Sequence, residues 1–315
     1  MNIYFLMQHI MYFFIPLLIV ALGGLFSERS GVVNIALEGM MIIGAFAGIV
    51  FFNSFQQYIS GQTLMLLGLL VSAAAGMAVA LIHAFASINI KADQIISGTS
   101  INMFAGAFTL YVVHRMTIGT GHRTIRYDSP QFYIESVPGL GSIPFIGPLF
   151  FQNAYITSYL GILLLVAAWF MLYKTRFGLR LRACGEHPQA ADSVGINVKK
   201  MRYIGVVISG ALAGFGGLVY MIPITSEFYA DVSGYGFLAL AVLIFGQWRP
   251  WRILFAAFFF RSLRAMSMVY MGRFGIPAEF YRMLPFVVTL IVLVFTSKRS
   301  QAPKAVGVPY DVGKR

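Results

Sequence analysis

The sequence predicts an all-α membrane protein, a bundle of about nine transmembrane helices within a range of eight to ten. Of its 315 residues, 58% are hydrophobic and only 11% are charged, less than half the charged fraction of typical soluble domains. The apolar residues are gathered into runs of about 20, the length of a helix that crosses a bilayer. The basic residues cluster between these runs.

The apolar runs define nine predicted spans. They are residues 4–26, 31–52, 64–88, 94–115, 155–173, 203–222, 236–248, 253–271 and 280–297. The run at 236–248 is short for a full crossing. We still expect it to cross, completed by residues from Asp231 onward, because a segment that dipped in and returned would put the basic C-terminal tail outside.

The distribution of Lys and Arg predicts the orientation. With segment 174–202 inside, counting spans puts the N-terminus outside and the C-terminus in the cytoplasm. Inside segments then hold 16 of the 23 Lys and Arg residues and outside segments hold three, as the positive-inside rule requires. We therefore expect a multi-pass protein of the bacterial cytoplasmic (inner) membrane, with 1–315 as one transmembrane domain and 298–315 as a cytoplasmic tail.

Composition and motifs argue against several other classes. The formal charge of +12 lies in loops beside apolar spans rather than on a stripe with interleaved aromatics, so we expect no nucleic-acid partner. The single cysteine, Cys184, cannot form an internal disulfide. The sequence contains no P-loop motif, metal-ligand spacing or catalytic constellation, so we expect neither enzymatic activity nor a metal or other cofactor on this chain.

The stretch 174–202 holds seven basic and two acidic residues between two hydrophobic spans. Its middle predicts a short helix over 186–193, because Pro188 favours a first helical turn and Gly195 follows its end. We interpret this helix as the docking site for a partner that controls a membrane pathway.

Polar residues in two spans indicate such a pathway. Asn34 and Glu38 lie four residues apart in the second span, which predicts one polar patch on one helix face near the cytoplasmic end. Ser97 and Asn102 form a polar stripe at the start of the fourth span. The structural alternatives are a basic residue or exposed helix amides for Glu38, and hydrogen bonds to neighbouring helices for the others.

The sixth span carries small residues at helical spacing. Gly210, Gly214 and Gly217 let helix backbones approach closely, so we expect them to serve packing.

Two arginines interrupt the eighth span. Arg261 and Arg264 lie three residues apart, and buried arginines need a partner. Glu38 is the carboxylate predicted within a span, so we expect a Glu38 pairing or a place in the pathway.

The segment 116–154 is the longest predicted outside loop and is rich in Gly and Pro. We expect it to pack as a cap over the outer mouth, because several residues near its end are too apolar for a solvated tether. These are Phe145, Ile146, Leu149, Phe150 and Phe151.

Two stretches resemble a known family: GLFSERSGVVNIALEGMMIIGA at 24–45 and RACGEHPQAADSVGINVKKMRYIGVVISGALAGFGG at 182–217. The family comprises the membrane permeases of ABC importers of the ribose and branched-chain amino acid type. The chain is most similar to the subgroup that handles nucleosides through basic-membrane-protein lipoproteins. Further matches at 143–151, 236–250 and 306–315 extend the resemblance over nearly the whole chain.

The resemblance implies a division of labour. Two permease subunits, as a homodimer or heterodimer, form a pore, and two cytoplasmic ABC ATPase subunits bind ATP and Mg. An external substrate-binding lipoprotein delivers the substrate. The flanking arginines would hold the loop at the membrane lipid.

The same resemblance implies that the short helix is the coupling helix, seated in a groove of the ATPase. Two small alanines would permit close seating. The implied coupling residues are Gly185, Glu186, His187, Pro188, Ala190, Ala191, Asp192 and Gly195.

Two features depart from the family pattern. Arg261 and Arg264 stand where small and apolar residues are expected, which bears on the pore lining and the substrate. His187 stands where asparagine is common.

The leading functional prediction is the pore subunit of an ATP-driven nucleoside importer. The alternative within this class is a permease for a simple sugar such as ribose or galactose. An ion-coupled secondary carrier, from a different class, would need several intramembrane carboxylates, whereas Glu38 alone is predicted.

Overall fold

The computed structural model describes residues 3–119, 124–270 and 301–311, together with residues 283 and 287. It contains ten α-helices and one short hairpin within these ranges. They are α1 Ile3–Ser30, α2 Leu37–Phe55, α3 Gly61–Ala84, α4 Gln94–Thr117, β1 Ile134–Ser136, β2 Gln152–Ala154, α5 Ile156–Lys174, α6 Arg176–Glu186, α7 Pro188–Ser193, α8 Val198–Met221, α9 Tyr235–Phe245 and α10 Pro250–Tyr270.

The predicted all-α polytopic bundle is confirmed. Among the described residues, six helices are long and apolar enough to cross a membrane, namely α1 to α5 and α8. Helix α9 is apolar but has only 11 residues, and α10 has 21 residues, three of them arginines. The predicted ninth span, 280–297, lies outside the described ranges.

Helix α8 is the central element of the bundle and packs along α1, α2 and α3. Its small residues make this possible. A Cβ at Gly214 would overlap the Ser72 carbonyl oxygen of α3, and one at Gly217 would overlap the Met41 carbonyl oxygen of α2. A Cβ at Gly210 would overlap Ala80 of α3 in the same way.

This packing predicts an asymmetric response to added methyl groups. Gly214→Ala should lower the free energy of unfolding by about 2 kcal/mol, because the new methyl group meets backbone that cannot rotate away. The matched change Gly106→Ala on α4, where no atom lies within 4 Å, should be neutral or stabilising by about 0.5 kcal/mol. Thermal unfolding of the purified chain in detergent measures both, and equal midpoints would contradict the close α8–α3 contact.

The bundle has two distinct ends. At one, here called the basic end, α6 and α7 lie against the C-terminus of α1, where Arg29 contacts Glu186. Residues 301–311 lie at the same end, with the Ala305 N–H donating to the Gly185 carbonyl oxygen at 2.9 Å. The described part of the tail thus shares an end with segment 174–202, as the predicted topology requires.

The other end, here called the hairpin end, carries β1 and β2, which pair antiparallel with Ile134 opposite Ala154. In the loop 116–154, which includes this hairpin, Phe132 is fully buried. Gln131 of the same loop accepts from the first N–H of α3, at Gly61. The loop therefore covers the hairpin-end terminus of α3.

Three of the five residues expected to make the cap apolar do not pack inward. Phe145 is 74% exposed, and Ile146 and Phe150 are also exposed. The loop is held instead by Phe132 and by polar contacts, among them the Tyr127 hydroxyl donating to the Thr225 carbonyl oxygen at 2.6 Å.

Candidate functional site

The second and seventh predicted spans are each only partly helical. Residues 31–36 are not helical and α2 begins at Leu37, so the expectation of a helical second span from residue 31 is wrong. Residues 222–234 are likewise non-helical before α9 begins at Tyr235. The start of α9 meets the start of α2 inside the bundle; the crossing predicted at 236–248 stays a prediction.

Glu38 joins these two helix starts. Its Oε1 accepts from the Gly234 N–H at 2.9 Å and its Oε2 from the Gly236 N–H at 2.5 Å. The residue is only 7% exposed. A carboxylate is stabilised at a helix N-terminus by unpaired amides and the positive end of the helix dipole. A Cβ at Gly236 would overlap the Glu38 backbone, so this approach requires glycine.

Glu38 lies deep in the bundle, which corrects the expectation that it sits near the end of its span. From the carboxylate, the 11 residues of α9 extend about 16 Å toward the basic end. That is about half of a 30 Å hydrocarbon core.

Asn102 of α4 supports the irregular segment before α2. Its Nδ2 donates to the Ile35 carbonyl oxygen at 2.8 Å, and its Oδ1 accepts from the Gly39 N–H at 2.7 Å. Backbone groups freed from a helix inside a membrane need such partners. This contact is the structural alternative expected for Asn102; its place in a pathway remains a prediction.

Ser97 belongs to a second supporting group. The Oε1 of Gln94 accepts from the Val33 N–H at 2.7 Å, and His83 Nε2 lies 3.0 Å from the Val33 carbonyl oxygen. Ser97 Oγ lies 3.1 Å from the other nitrogen of the same ring. The polar stripe at the start of α4 therefore faces the irregular segment.

Asn34 does not share a helix face with Glu38, so the predicted single polar patch is wrong. Asn34 precedes α2, and its Nδ2 donates to Ser209 Oγ of α8 at 2.8 Å. Glu38 turns instead to the amides that begin α9.

The expected pairing of Glu38 with an arginine is also wrong. Arg261 is 5% exposed, and its guanidinium carbon lies 4.5 Å from the ring centre of Phe13 and 5.4 Å from that of Tyr235. Arg264, three residues on, is exposed. Because Glu38 accepts from backbone amides, its negative charge is already compensated without either arginine.

The short helix predicted at the basic end is present. Helix α7 begins with Pro188 and ends at Ser193, and Gly195 follows with φ +82°. The sequence analysis missed the helix before it, α6, which ends at Glu186. A tight seat holds the pair, because a Cβ at Gly185 would overlap the Arg29 carbonyl oxygen of α1.

The two alanines of α7 face opposite ways. Ala191 is only 3% exposed and packs inward, so it is not available for seating a partner. Ala190 is exposed. The outward surface, here called the docking face, also includes other exposed residues; they are His187, Gln189, Ser193 and Val194.

A chain of contacts connects α6 and α7 to the buried site. Arg29 Nη1 lies 3.5 Å from Glu186 Oε1, and Arg29 Nη2 donates to the Trp248 carbonyl oxygen at 2.9 Å. Trp248 follows the end of α9, and its indole N–H donates to Glu28. The basic end of α9 is thereby tied to the α6–α7 unit, while its other end is held by Glu38.

The described tail ties the same end together. The Gly307 N–H donates to the Gly31 carbonyl oxygen at 3.2 Å, and Arg202 Nη1 donates to the Val308 carbonyl oxygen at 2.9 Å. Lys91 Nζ lies 3.0 Å from the Asp311 carboxylate. The tail therefore bridges the irregular segment, the start of α8 and the end of α3.

A cavity of about 860 Å³ opens at the hairpin end. Most of its lining residues are of polar types, among them Asn53, Gln56, Asp128 and Gln131. Beside it the Thr124 hydroxyl donates to Glu227 Oε2, and that bond together with nearby Arg126 lowers the pKa of the Glu227 carboxyl. This end thus presents a polar, hydrogen-bonding surface to solutes.

Several of these residues were missed by sequence reasoning. His83 is a polar residue inside an apolar span, a signal that could have found it. Arg202 was counted as a loop charge, yet it is 1% exposed. The role of Gly236 as the donor to Glu38 depends on a contact between residues 198 apart in sequence, and nothing local indicates it.

A multi-pass bundle of apolar helices with non-helical segments buried inside it is typical of membrane transport proteins. Within the described ranges, no group of three His, Cys, Asp or Glu residues could hold a metal ion. Residues 6–293 match the family described as branched-chain amino acid transport system / permease component. The chain belongs to this permease family, whose members are non-catalytic components of transport systems.

Relatives match the chain over nearly its whole length. It is 49% identical over 304 residues to the guanosine ABC transporter permease protein NupQ of Bacillus subtilis, covering 95% of this chain and 94% of that one. It is 40% identical over 306 residues to the nucleoside ABC transporter permease protein NupC of Lactococcus lactis, with the same coverage. A putative glucose ABC transporter permease of Haloferax volcanii, TsgC13, is 35% identical over 80% of this chain and 73% of its own length. No solved structure matches.

Proposed function

We propose that this chain is the pore-forming permease subunit of an ATP-driven nucleoside importer. The observation that carries the proposal is the 49% identity over 95% of the chain to a permease named for guanosine. The relative named for glucose is 35% identical over a smaller share, which makes a simple sugar the second candidate.

The basic end faces the cytoplasm in this proposal, since that end carries α6, α7 and their arginines. The docking face of α7 contacts an ABC ATPase subunit, and ATP and Mg are bound by that partner. A second permease subunit completes the pore. An external binding lipoprotein delivers the substrate at the hairpin end, where the polar cavity opens.

Coupling follows the contacts from α7 to α9. ATP binding closes the ATPase pair and displaces α7, and α6 moves with it as one unit. The ion pair between Arg29 and Glu186 and the bond from Arg29 to Trp248 pass this displacement to α9. Because the start of α9 is bonded to Glu38, the movement reaches the interior of the bundle. The polar candidates for the pathway are Asn34, Ser97, Asn102, Arg261 and Arg264.

The test of the function is uptake of labelled guanosine and uridine, with ribose as the comparison solute, into vesicles containing the reconstituted complex. We expect nucleoside uptake that requires ATP. Ribose uptake in its place would favour the sugar permease. Transport by this chain alone, driven by an ion gradient, would contradict an ATP-driven importer altogether.

The docking role of α7 makes a separate prediction. Ala190→Arg places a large charged side chain on the docking face, and recovery of the ATPase with the purified permease should fall about tenfold. Because Ala190 is exposed, the unfolding midpoint should not change. The control is Leu179→Arg on α6, a residue that is 62% exposed and lies off the docking face. Equal ATPase recovery from both variants would exclude this face as the coupling surface.

A further inference from the structure

A groove at the basic end lies beside the coupling contacts and apart from the buried Glu38 site. It has a volume of about 460 Å³ and lies between the end of α5 and the start of α10. Its lining residues are Trp169, Tyr173, Arg249, Pro250, Trp251 and Arg252. The groove therefore combines interfacial aromatics with two cations at one end of the bundle.

The positive charge of the groove is not compensated within the described chain. Arg249 and Arg252 are exposed, and the structure gives neither guanidinium a hydrogen bond or ion pair to another described residue. None of the six lining residues is acidic, and Glu186 on the neighbouring α6 is already paired with Arg29. An anion is the ligand that this charge favours.

Further cations stand at the rim. Lys174 Nζ lies 5.7 Å from the ring centre of Trp169, and the Arg182 guanidinium carbon lies 4.7 Å from that of Tyr173. These contacts fix the aromatic rings beside the positive charges.

The walls of the groove continue as apolar helix surface. Trp169 and Trp251 lie in contact, with ring centres 6.4 Å apart. One turn beyond Trp251, away from the basic end, Phe255 of α10 is 69% exposed, and Phe170, next to Trp169 on α5, is 54% exposed. Tryptophan at the membrane interface with apolar surface beyond it suits a lipid headgroup and its acyl chain.

We propose that this groove binds one anionic phospholipid from the leaflet at the basic end. Its headgroup phosphate contacts Arg249 and Arg252, and its acyl chain lies along Phe255 and Phe170. Basic pockets between transmembrane helices on the cytoplasmic side take such headgroups. A free phosphate ion would leave the aromatic walls without an occupant, so the groove is assigned to lipid.

Tryptophan fluorescence provides a direct test with the full-length chain. The chain has three tryptophans; two line the groove, and Trp248 is 5% exposed. The chain is placed in phosphatidylcholine vesicles in which a minor, equal fraction of either phosphatidylglycerol or phosphatidylcholine is brominated. We expect stronger quenching by brominated phosphatidylglycerol.

The double change Arg249→Gln and Arg252→Gln should reduce this lipid preference about 30-fold, which corresponds to about 1 kcal/mol per arginine near an anionic surface. A matched control, Arg176→Gln with Arg180→Gln, removes the same charge from exposed positions on α6 and should retain the preference. Arg249→Lys with Arg252→Lys should also retain it, and that result separates charge from folding.

Three outcomes would overturn the proposal. The first is equal quenching by the two brominated lipids. The second is loss of the preference when inorganic phosphate replaces chloride at equal ionic strength, which would assign the groove to free phosphate. The third is a glutamine variant that keeps the lipid preference but no longer retains the ATPase, which would make the groove a protein-docking surface.

Discussion

Glu38→Ala is expected to lower the free energy of unfolding by about 3 kcal/mol and to abolish uptake. The carboxylate accepts from two buried N–H groups, those of Gly234 and Gly236. Alanine leaves both without an acceptor in a region with little water, and each unsatisfied group costs about 1–3 kcal/mol. The start of α9 should then detach from α2, and the pathway between them should lose its defined geometry.

Two variants sharpen this test. Glu38→Gln keeps one acceptor oxygen but presents its NH₂ group to the second amide, so its loss should be about half as large. Glu135→Ala removes an exposed carboxylate of β1 and should change stability by less than about 0.5 kcal/mol. Thermal or denaturant unfolding in detergent measures all three. If Glu38→Ala unfolds like the parent, Glu38 does not hold α9 in place.

The positions of most spans could be predicted because hydrophobic length is a local property of the sequence. The start of α8 shows the limit of this approach. The apolar run predicts a span that starts at residue 203, whereas the helix begins at Val198, because helices extend beyond the apolar core into their polar flanks. Helix α6 is not predicted for the same reason, because its arginines are typical of a polar loop between two spans.

The candidate site was harder to predict because its geometry depends on helix breaks. Asn34 and Glu38 were read as neighbours on one helix, which holds only if the helix is continuous. Gly31, with φ +97°, lies at the start of the break. Glycine alone does not predict such a break, because it is also frequent in continuous transmembrane helices. The partners that stabilise the break, Asn102 and His83, come from other helices and have no signal at residue 31.

The glycines of α8 contrast with this. Close helix packing follows from spacing along one helix, so Gly210 and Gly214 could be interpreted without knowing their partners. The arginines of α10 could not be interpreted in this way, because Arg261 contacts two aromatic rings rather than a charged partner. A cation–π contact needs no acidic residue, so the sequence contains no complementary charge that would predict it.

A stop after Pro303 is expected to release the α6–α7 unit from the bundle. It removes the Ala305 N–H that donates to Gly185, the Gly307 N–H that donates to Gly31, and the acceptor of Arg202 at Val308. Of these, the Ala305 bond holds α6 directly, and a bond of about 1 kcal/mol corresponds to about fivefold faster hydrogen exchange of the α6 and α7 amides. Uptake should fall with it, because displacement of α7 would no longer be passed to α1 and α9.

The matched truncation is a stop after Asp311, which removes only residues 312–315 and retains each of these contacts. Exchange of the α6 and α7 amides, followed by mass spectrometry of peptides from both truncated chains, separates loss of the tail contacts from general damage. Amides in the middle of α8 serve as the internal reference, since they should exchange alike in both chains. If the α7 amides of the longer truncation remain as protected as those of the control, the α6–α7 unit is held by its contacts with the described helices, among them the Arg29–Glu186 ion pair, and not by the tail. The tail contacts would then contribute nothing to coupling.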